Sequence, residues 1–212
     1  MPLTLPSPSL TRRSTVMRRT AAERPTGFAD GLIEHQALFG RLAPLAGPVQ
    51  DTAERLAACL STGGKLLLCG NGPSASLAQQ MAALLAGRLA KERRPLAALA
   101  LSSDPSALTG IAADHGFDEI FARQVRALGR PGDSLLVQAA WPAPANLLRA
   151  VEVARDAGLL TVALLGAGHE ALAAACHVAL VVPGHNPLRV LEAQQFIGHS
   201  LCGQMETTLG LG

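Results

Sequence analysis

Large rings are scarce in this chain. It has no tyrosine, one tryptophan and five phenylalanines in 212 residues. A core cannot rest on aromatic packing here, so it must be filled by Ala, Leu and Val, whose small side chains permit close helix packing. Charge is scarce too. Charged residues make up 16% of the chain and apolar ones 49%, a balance that predicts surface buried in an oligomer. The formal net charge of +2 gives no general argument for a nucleic-acid or anionic-membrane partner. The four cysteines, Cys59, Cys69, Cys176 and Cys202, are scattered and form no C-x-x-C pair. That spacing speaks against a zinc knuckle or a disulfide framework and reads as buried reduced thiols. No apolar run reaches membrane-spanning length. A chain of this length suits one domain with a substantial core.

Residues 1–27 stand apart from the rest. They are rich in Pro, Ser and Thr and carry Arg12, Arg13, Arg18, Arg19 and Arg24, with no hydrophobic stretch of the kind a secretory signal needs. They read as a solvated tail, or as sequence ahead of the true start. The composition also suits an organelle transit peptide, and a basic arm for nucleic acid is the sharper alternative. The folded unit is then 28–212, and a cytoplasmic location is expected.

The stretch Lys65–Leu85, KLLLCGNGPSASLAQQMAALL, organises what remains. Leu66-Leu67-Leu68-Cys69 is an unbroken apolar run, which predicts a strand buried on both faces. It breaks at Gly70-Asn71-Gly72. Ser74 then stands where a helix N-cap is expected, before an Ala- and Gln-rich helical segment. Strand, glycine turn and helix start together suit an anion, because glycines let backbone approach a ligand and the first helical N–H groups point at it. Three readings compete. One is a strand-turn-helix with no ligand. The second is a dinucleotide fold, since Gly70-x-Gly72-x-x-Ala75 fits the loose fingerprint. That fingerprint needs an acid at the end of the next strand, whereas Glu92 precedes that strand and Asp104 comes too late. The third is a phosphosugar site.

Taken in order, apolar spacing predicts a helix over residues 28–45, with Leu32, Ile33, Phe39 and Leu42 on its apolar face, and a second over 49–60. A charged run, Arg88 with Lys91 to Arg94, reads as a solvated helix end. Strands are expected at 96–101, 134–139, 161–165 and 178–182. Helices are expected from about 107, over 117–128, 145–157 and 170–175, and from 187 to about 209. Alternation at this spacing means a mainly parallel, doubly wound α/β sheet of five strands. Ligands then bind beyond the carboxyl ends of the strands. The loops at 70–74, 102–106 and 141–144 all fall at that edge.

The run G-N-G-x-S-A at Gly70–Ala75, the stretch from Leu101 to Asp133 (LSSDPSALTGIAADHGFDEIFARQVRALGRPGD), and R-V-L-E with I-G-H-S-L-C on the last helix together resemble the sugar isomerase (SIS) domain. The likeness is to its phosphoheptose isomerase branch and covers roughly residues 28–209. It implies a flavodoxin-like sheet, a homotetramer built largely on the first helix, and a sugar phosphate held by Asn71, Gly72, Ser74, Gln80, Ser102, Ser103, Asp104, Ser106 and Trp141. The branch includes the DnaA initiator-associating protein, so the scaffold also implies a possible protein partner.

The isomerases of this branch move a proton between neighbouring carbons beside a zinc ion. The resemblance places the zinc ligands, a His and a Glu on the helix after the glycine turn and a Gln and a His on the last helix, at Gln80, Leu84, Leu191 and His199. Only His199 keeps the family residue, and it then reads as a helix-packing histidine. The family's phosphate loop, S-T-S-G-N-S, is here Ala139-Ala140-Trp141-Pro142-Ala143-Pro144, without hydroxyls and with two prolines that lack N–H groups. The residues therefore lead to an expectation of a non-catalytic phosphosugar-binding or adaptor protein, with DnaA as the candidate partner and without a metal. The alternatives are an active sedoheptulose 7-phosphate isomerase, which alone would need zinc, and a small-molecule sensor using Trp141 as a stacking platform.

Overall fold

The computed structural model describes residues 27–142 and 145–212. The Arg-rich segment therefore lies outside the described residues, apart from Gly27. The helices are α1 (Phe28–Phe39), α2 (Ala46–Ser61), α3 (Pro73–Ala86), α4 (Pro105–His115), α5 (Ala122–Leu128), α6 (Ala145–Asp156), α7 (Glu170–Ala175) and α8 (Pro187–Thr208). The strands are β1 (Leu66–Gly70), β2 (Ala98–Ala100), β3 (Ser134–Ala139), β4 (Leu160–Leu165) and β5 (Val178–Val181). All pairings are parallel and the order is β2-β1-β3-β4-β5, the expected flavodoxin-like arrangement. β1 and β3 occupy the middle of the sheet and are buried along their whole lengths. That is why β1 reads as an unbroken apolar run rather than an alternating one, whereas β3 buries Ser134 and Gln138 on either side of Leu-Leu-Val.

Side-chain alternation sends each strand into two cores. Leu66, Leu68, Leu136, Val162, Leu164 and Leu180 point into one, closed by α2, α3 and α8. Leu67, Cys69, Leu135, Val137, Ala163 and Leu165 point into the other, under α5 and α6. Phe121 is the one phenylalanine fully buried in that second core, and aliphatic side chains fill the rest.

Four local expectations change. The segment at 117–128 is not one helix: a 3-10 turn at Phe117–Glu119 precedes α5. Leu42 lies beyond the end of α1, in a turn, and is buried, so it does not share an exposed face with Leu32 and Ile33. β2 is shorter than its apolar run, because Leu96 and Leu101 are buried just outside the paired residues. The charged run after α3 is not wholly solvated. The Arg93 and Glu206 side chains are only 2% and 5% exposed. Arg93 Nε and Nη2 donate to Glu206 Oε1 at 2.8 and 2.7 Å. Its Nη1 donates to the carbonyls of Leu85 and Gly87, and its Nη2 to that of Leu84. One guanidinium thus satisfies the orphan carbonyls at the end of α3 and ties them to the end of α8.

The opposite, amino edge of the sheet is held by Asp133. Its carboxylate accepts from the backbone N–H groups of Lys65 and Arg130, at 2.9 and 2.8 Å, and from the Lys65 ammonium. Burial pushes this carboxyl up, and the Lys65 and Arg130 hydrogen bonds outweigh it, so the net direction is down.

Candidate functional site at the carboxyl edge

The site is built outward from β1. Gly70 ends that strand, and a Cβ there would lie 2.8–2.9 Å from the backbone and Cβ of Ser74. Only a residue without a side chain lets the first turn of α3 sit directly on the strand end. Gly72 has φ 55° and ψ −128°, a conformation costly for any other residue. Gly72, not Ser74, is the N-cap of α3, and Pro73 occupies the first helical position, where a missing N–H costs nothing. Ser74 is buried inside the first turn, and its N–H donates to the Asn71 carbonyl at 3.2 Å. The N-cap expectation failed because glycine's freedom started the helix two residues earlier.

The Asn71 amide is partly engaged within the protein. It exchanges two 3.0 Å hydrogen bonds with Asn146, which is fully buried near the start of α6. Each amide donates once and accepts once, so the pair closes a ring that ties the glycine turn to the loop after β3. Asn146 was not among the expected site residues, because a single Asn at a helix start reads as capping.

The loop after β2 is similarly committed. Asp104 caps α4, with Oδ1 accepting from the N–H groups of Ser106 and Ala107 at 2.8 and 3.1 Å. The Ser103 N–H turns back to the Ala100 carbonyl. Gln79, exposed on α3, donates from Nε2 to the carbonyl and hydroxyl oxygens of Ser102, at 3.2 and 3.3 Å. It is Gln79 rather than Gln80 that links α3 to this loop. Gln80 is exposed on the same helix.

Leu84 and Leu191 are partly buried and pack against the α2–α3–α8 core, and His199 is half-buried on α8. The four positions that the resemblance assigns to a metal thus hold an exposed amide, two packed alkyl chains and an imidazole. Cys69 closes β1 beside the turn, but burial above all, and then the Cys176 sulfur, raise its thiol far from the reactive range.

Trp141 is 37% exposed, in the loop after β3. Its backbone carbonyl contacts His169 Nε2 at 2.5 Å, while His169 Nδ1 lies 2.9 Å from the Gly166 carbonyl at the end of β4. Ala143 and Pro144, expected in the same loop, lie outside the described residues. Turns after β1, β2, β3 and β4 therefore border one edge, and hydrogen bonds join the β1 turn to the start of α6, α3 to the β2 loop, and the β3 loop to that after β4.

Residues 32–166 match the SIS domain. The chain is 42% identical to the phosphoheptose isomerase of Rhodospirillum rubrum over 171 residues, covering 81% of this chain and 91% of that one. It is 41% identical to the phosphoheptose isomerase of Trichlorobacter lovleyi over 183 residues, 86% and 93% of the two chains. The fold superimposes on the solved phosphoheptose isomerase of Neisseria gonorrhoeae with a TM-score of 0.80 and 36% identity, over 84% of this chain and 96% of that one. Strand order, glycine turn and these similarities converge: the chain belongs to the SIS domain family, among the homologues of phosphoheptose isomerase.

Proposed function

We propose that this protein binds a sugar phosphate at the carboxyl edge of its sheet, on the scaffold of the phosphoheptose isomerases. The observation that carries the reading is the Gly70–Ser74 turn, where Gly70, with no room for a Cβ, and Gly72, with a positive φ that favours glycine, bring backbone and the start of α3 to the edge. The relatives support a reaction as well: aldose–ketose interconversion of a phosphoheptose, with sedoheptulose 7-phosphate as substrate. That reading has the direct backing of similarity over most of the chain. In it, Asp104 and His199 are the titratable groups to test for proton transfer.

A second reading, binding without turnover, is favoured by one specific observation. Leu84 and Leu191 occupy two of the four positions of the metal set, and both are packed against the core. A zinc centre needs three or four N, O or S donors. Gln80 and His199 supply an amide and an imidazole, which does not fit that ion. Under this reading the protein is a sensor or an adaptor, with DnaA as the partner to test. In either case we propose a homotetramer in the cytoplasm. No described helix is long and apolar enough to cross a membrane.

One experiment separates the readings. Protein purified without a metal-affinity tag is assayed for turnover of sedoheptulose 7-phosphate, for binding of the same compound by calorimetry, and for zinc by elemental analysis. A kcat in the ordinary range of roughly 1 to 10³ s⁻¹ establishes the isomerase. Binding with no turnover establishes the second reading, and a pull-down with DnaA then divides adaptor from sensor. Absence of both binding and turnover overturns the sugar-phosphate proposal itself.

A further inference from the structure

His169 is buried and serves as the residue before α7, yet both of its ring nitrogens face backbone carbonyl oxygens. Nδ1 is 2.9 Å from Gly166 O and Nε2 is 2.5 Å from Trp141 O. A carbonyl oxygen only accepts. A neutral imidazole carries one N–H, so it serves one of these oxygens and turns a lone pair toward the other. The imidazolium carries two N–H groups and serves both. The two carbonyls belong to different loops of the carboxyl edge, one after β3 and one after β4.

We propose that His169 is a positioning residue whose protonation latches the Trp141 loop to the end of β4, and thereby sets the affinity of the carboxyl edge for a phosphorylated ligand. The last part rests on the sugar-phosphate reading above; the latch itself does not. The surroundings of the ring bear on its charge. Glu170, in the first turn of α7, is exposed and next in sequence, and offsets the unfavourable placing of a cation at a helix start. The loops after β3 and β4 meet the ring with carbonyl oxygens. Among the described residues no carboxylate lies within ion-pair distance of it. A charge on the ring is thus met by two carbonyl dipoles, and only the charged form donates to both loops at once.

Loss of the proton breaks one of the two bonds. The 2.5 Å contact is to the Trp141 carbonyl, in the loop that holds the chain's one indole. With no tyrosine in the chain, that indole reports the loop without background.

The test follows Trp141 emission of the full-length protein from pH 5 to 9 without ligand. A single-proton transition is expected, and it should be absent in His169→Gln and in His169→Leu. His169→Gln retains amide donors and is the variant of choice if His169→Leu fails to fold. Emission that does not change with pH in the unaltered protein, or a transition that persists in folded His169→Gln, overturns the latch. Binding of sedoheptulose 7-phosphate is then compared at the two ends of the transition. The phosphate titrates in this range as well, so His169→Gln serves as the reference. Affinity in the unaltered protein should fall by about two- to tenfold more than in the variant as pH rises, the size of one net hydrogen bond. A latch transition with equal affinity changes in both proteins confines His169 to the loop and removes its link to binding. A latch transition with no binding at either pH refutes the sugar-phosphate reading and leaves the latch standing.

Discussion

Replacing Glu206 by alanine should unlatch the far end of α3. In the native chain the Arg93 guanidinium is buried, with Glu206 as its counter-charge and the carbonyls of Leu84, Leu85 and Gly87 as further acceptors. Glu206 Oε1 also receives the Leu89 N–H at 3.4 Å. Removing the carboxylate leaves a buried cation without its counter-charge, and breaking such a pair costs about 3–5 kcal/mol. For a chain of this size each kcal/mol lowers Tm by about 2–4 °C, so the drop should be about 6–20 °C. Glu206→Gln keeps an acceptor and should fall between the two. Converting both partners to apolar residues, Arg93→Met with Glu206→Leu, should be less damaging than Glu206→Ala alone. It should still fall below the native protein, since three α3 carbonyls lose their donor; for an isolated ion pair the double change would be close to neutral. Differential scanning calorimetry and denaturant titration give the stabilities, and amide exchange at 80–87 should show the end of α3 opening first. A loss below about 1 kcal/mol for Glu206→Ala would place the pair in the range of solvated surface ion pairs and refute the argument.

Three further outcomes are expected. Gly70→Ala should destabilise the fold by about 1–3 kcal/mol, because its Cβ meets Ser74 backbone that moves only with α3, and should weaken sugar-phosphate binding more than Gly47→Ala does; equal binding by both variants would remove the turn from the site. Phe28, Ile33 and Phe196 are 90%, 64% and 52% exposed on α1 and α8, so copies of the chain should cover them; light scattering should give a tetramer, and a monomer at micromolar concentration would count decisively against this. The Asp133 carboxyl titrates below its unfolded value near 3.9, so its contribution to stability is complete above that value and is lost as pH falls through the folded one. Acid unfolding of Asp133→Asn should therefore depend less steeply on pH below about 4 than that of the native chain, and parallel curves would contradict the assignment.

The sequence by itself determined the order of the elements and the class of sheet. The apolar run at 66–69 calls for a strand buried on both faces, and helices between successive strands favour parallel pairing. The glycine turn was legible for a similar reason: its geometry is local, and few residues tolerate it. The loss of donors at Leu84 and Leu191 was legible as well, since an alkyl chain offers none in any fold. What only the tertiary structure decided is how the polar groups are spent. The Asn71 amide meets that of Asn146, 75 positions along the chain. Arg93 looked solvated until Glu206, 113 positions away, met it between α3 and α8. His169 belonged to no motif and gained its place only when the loops after β3 and β4 came together around it. Apolar burial follows a periodic pattern along the chain, whereas a hydrogen bond between distant side chains depends on the orientation of two particular groups, which no local pattern in the sequence encodes.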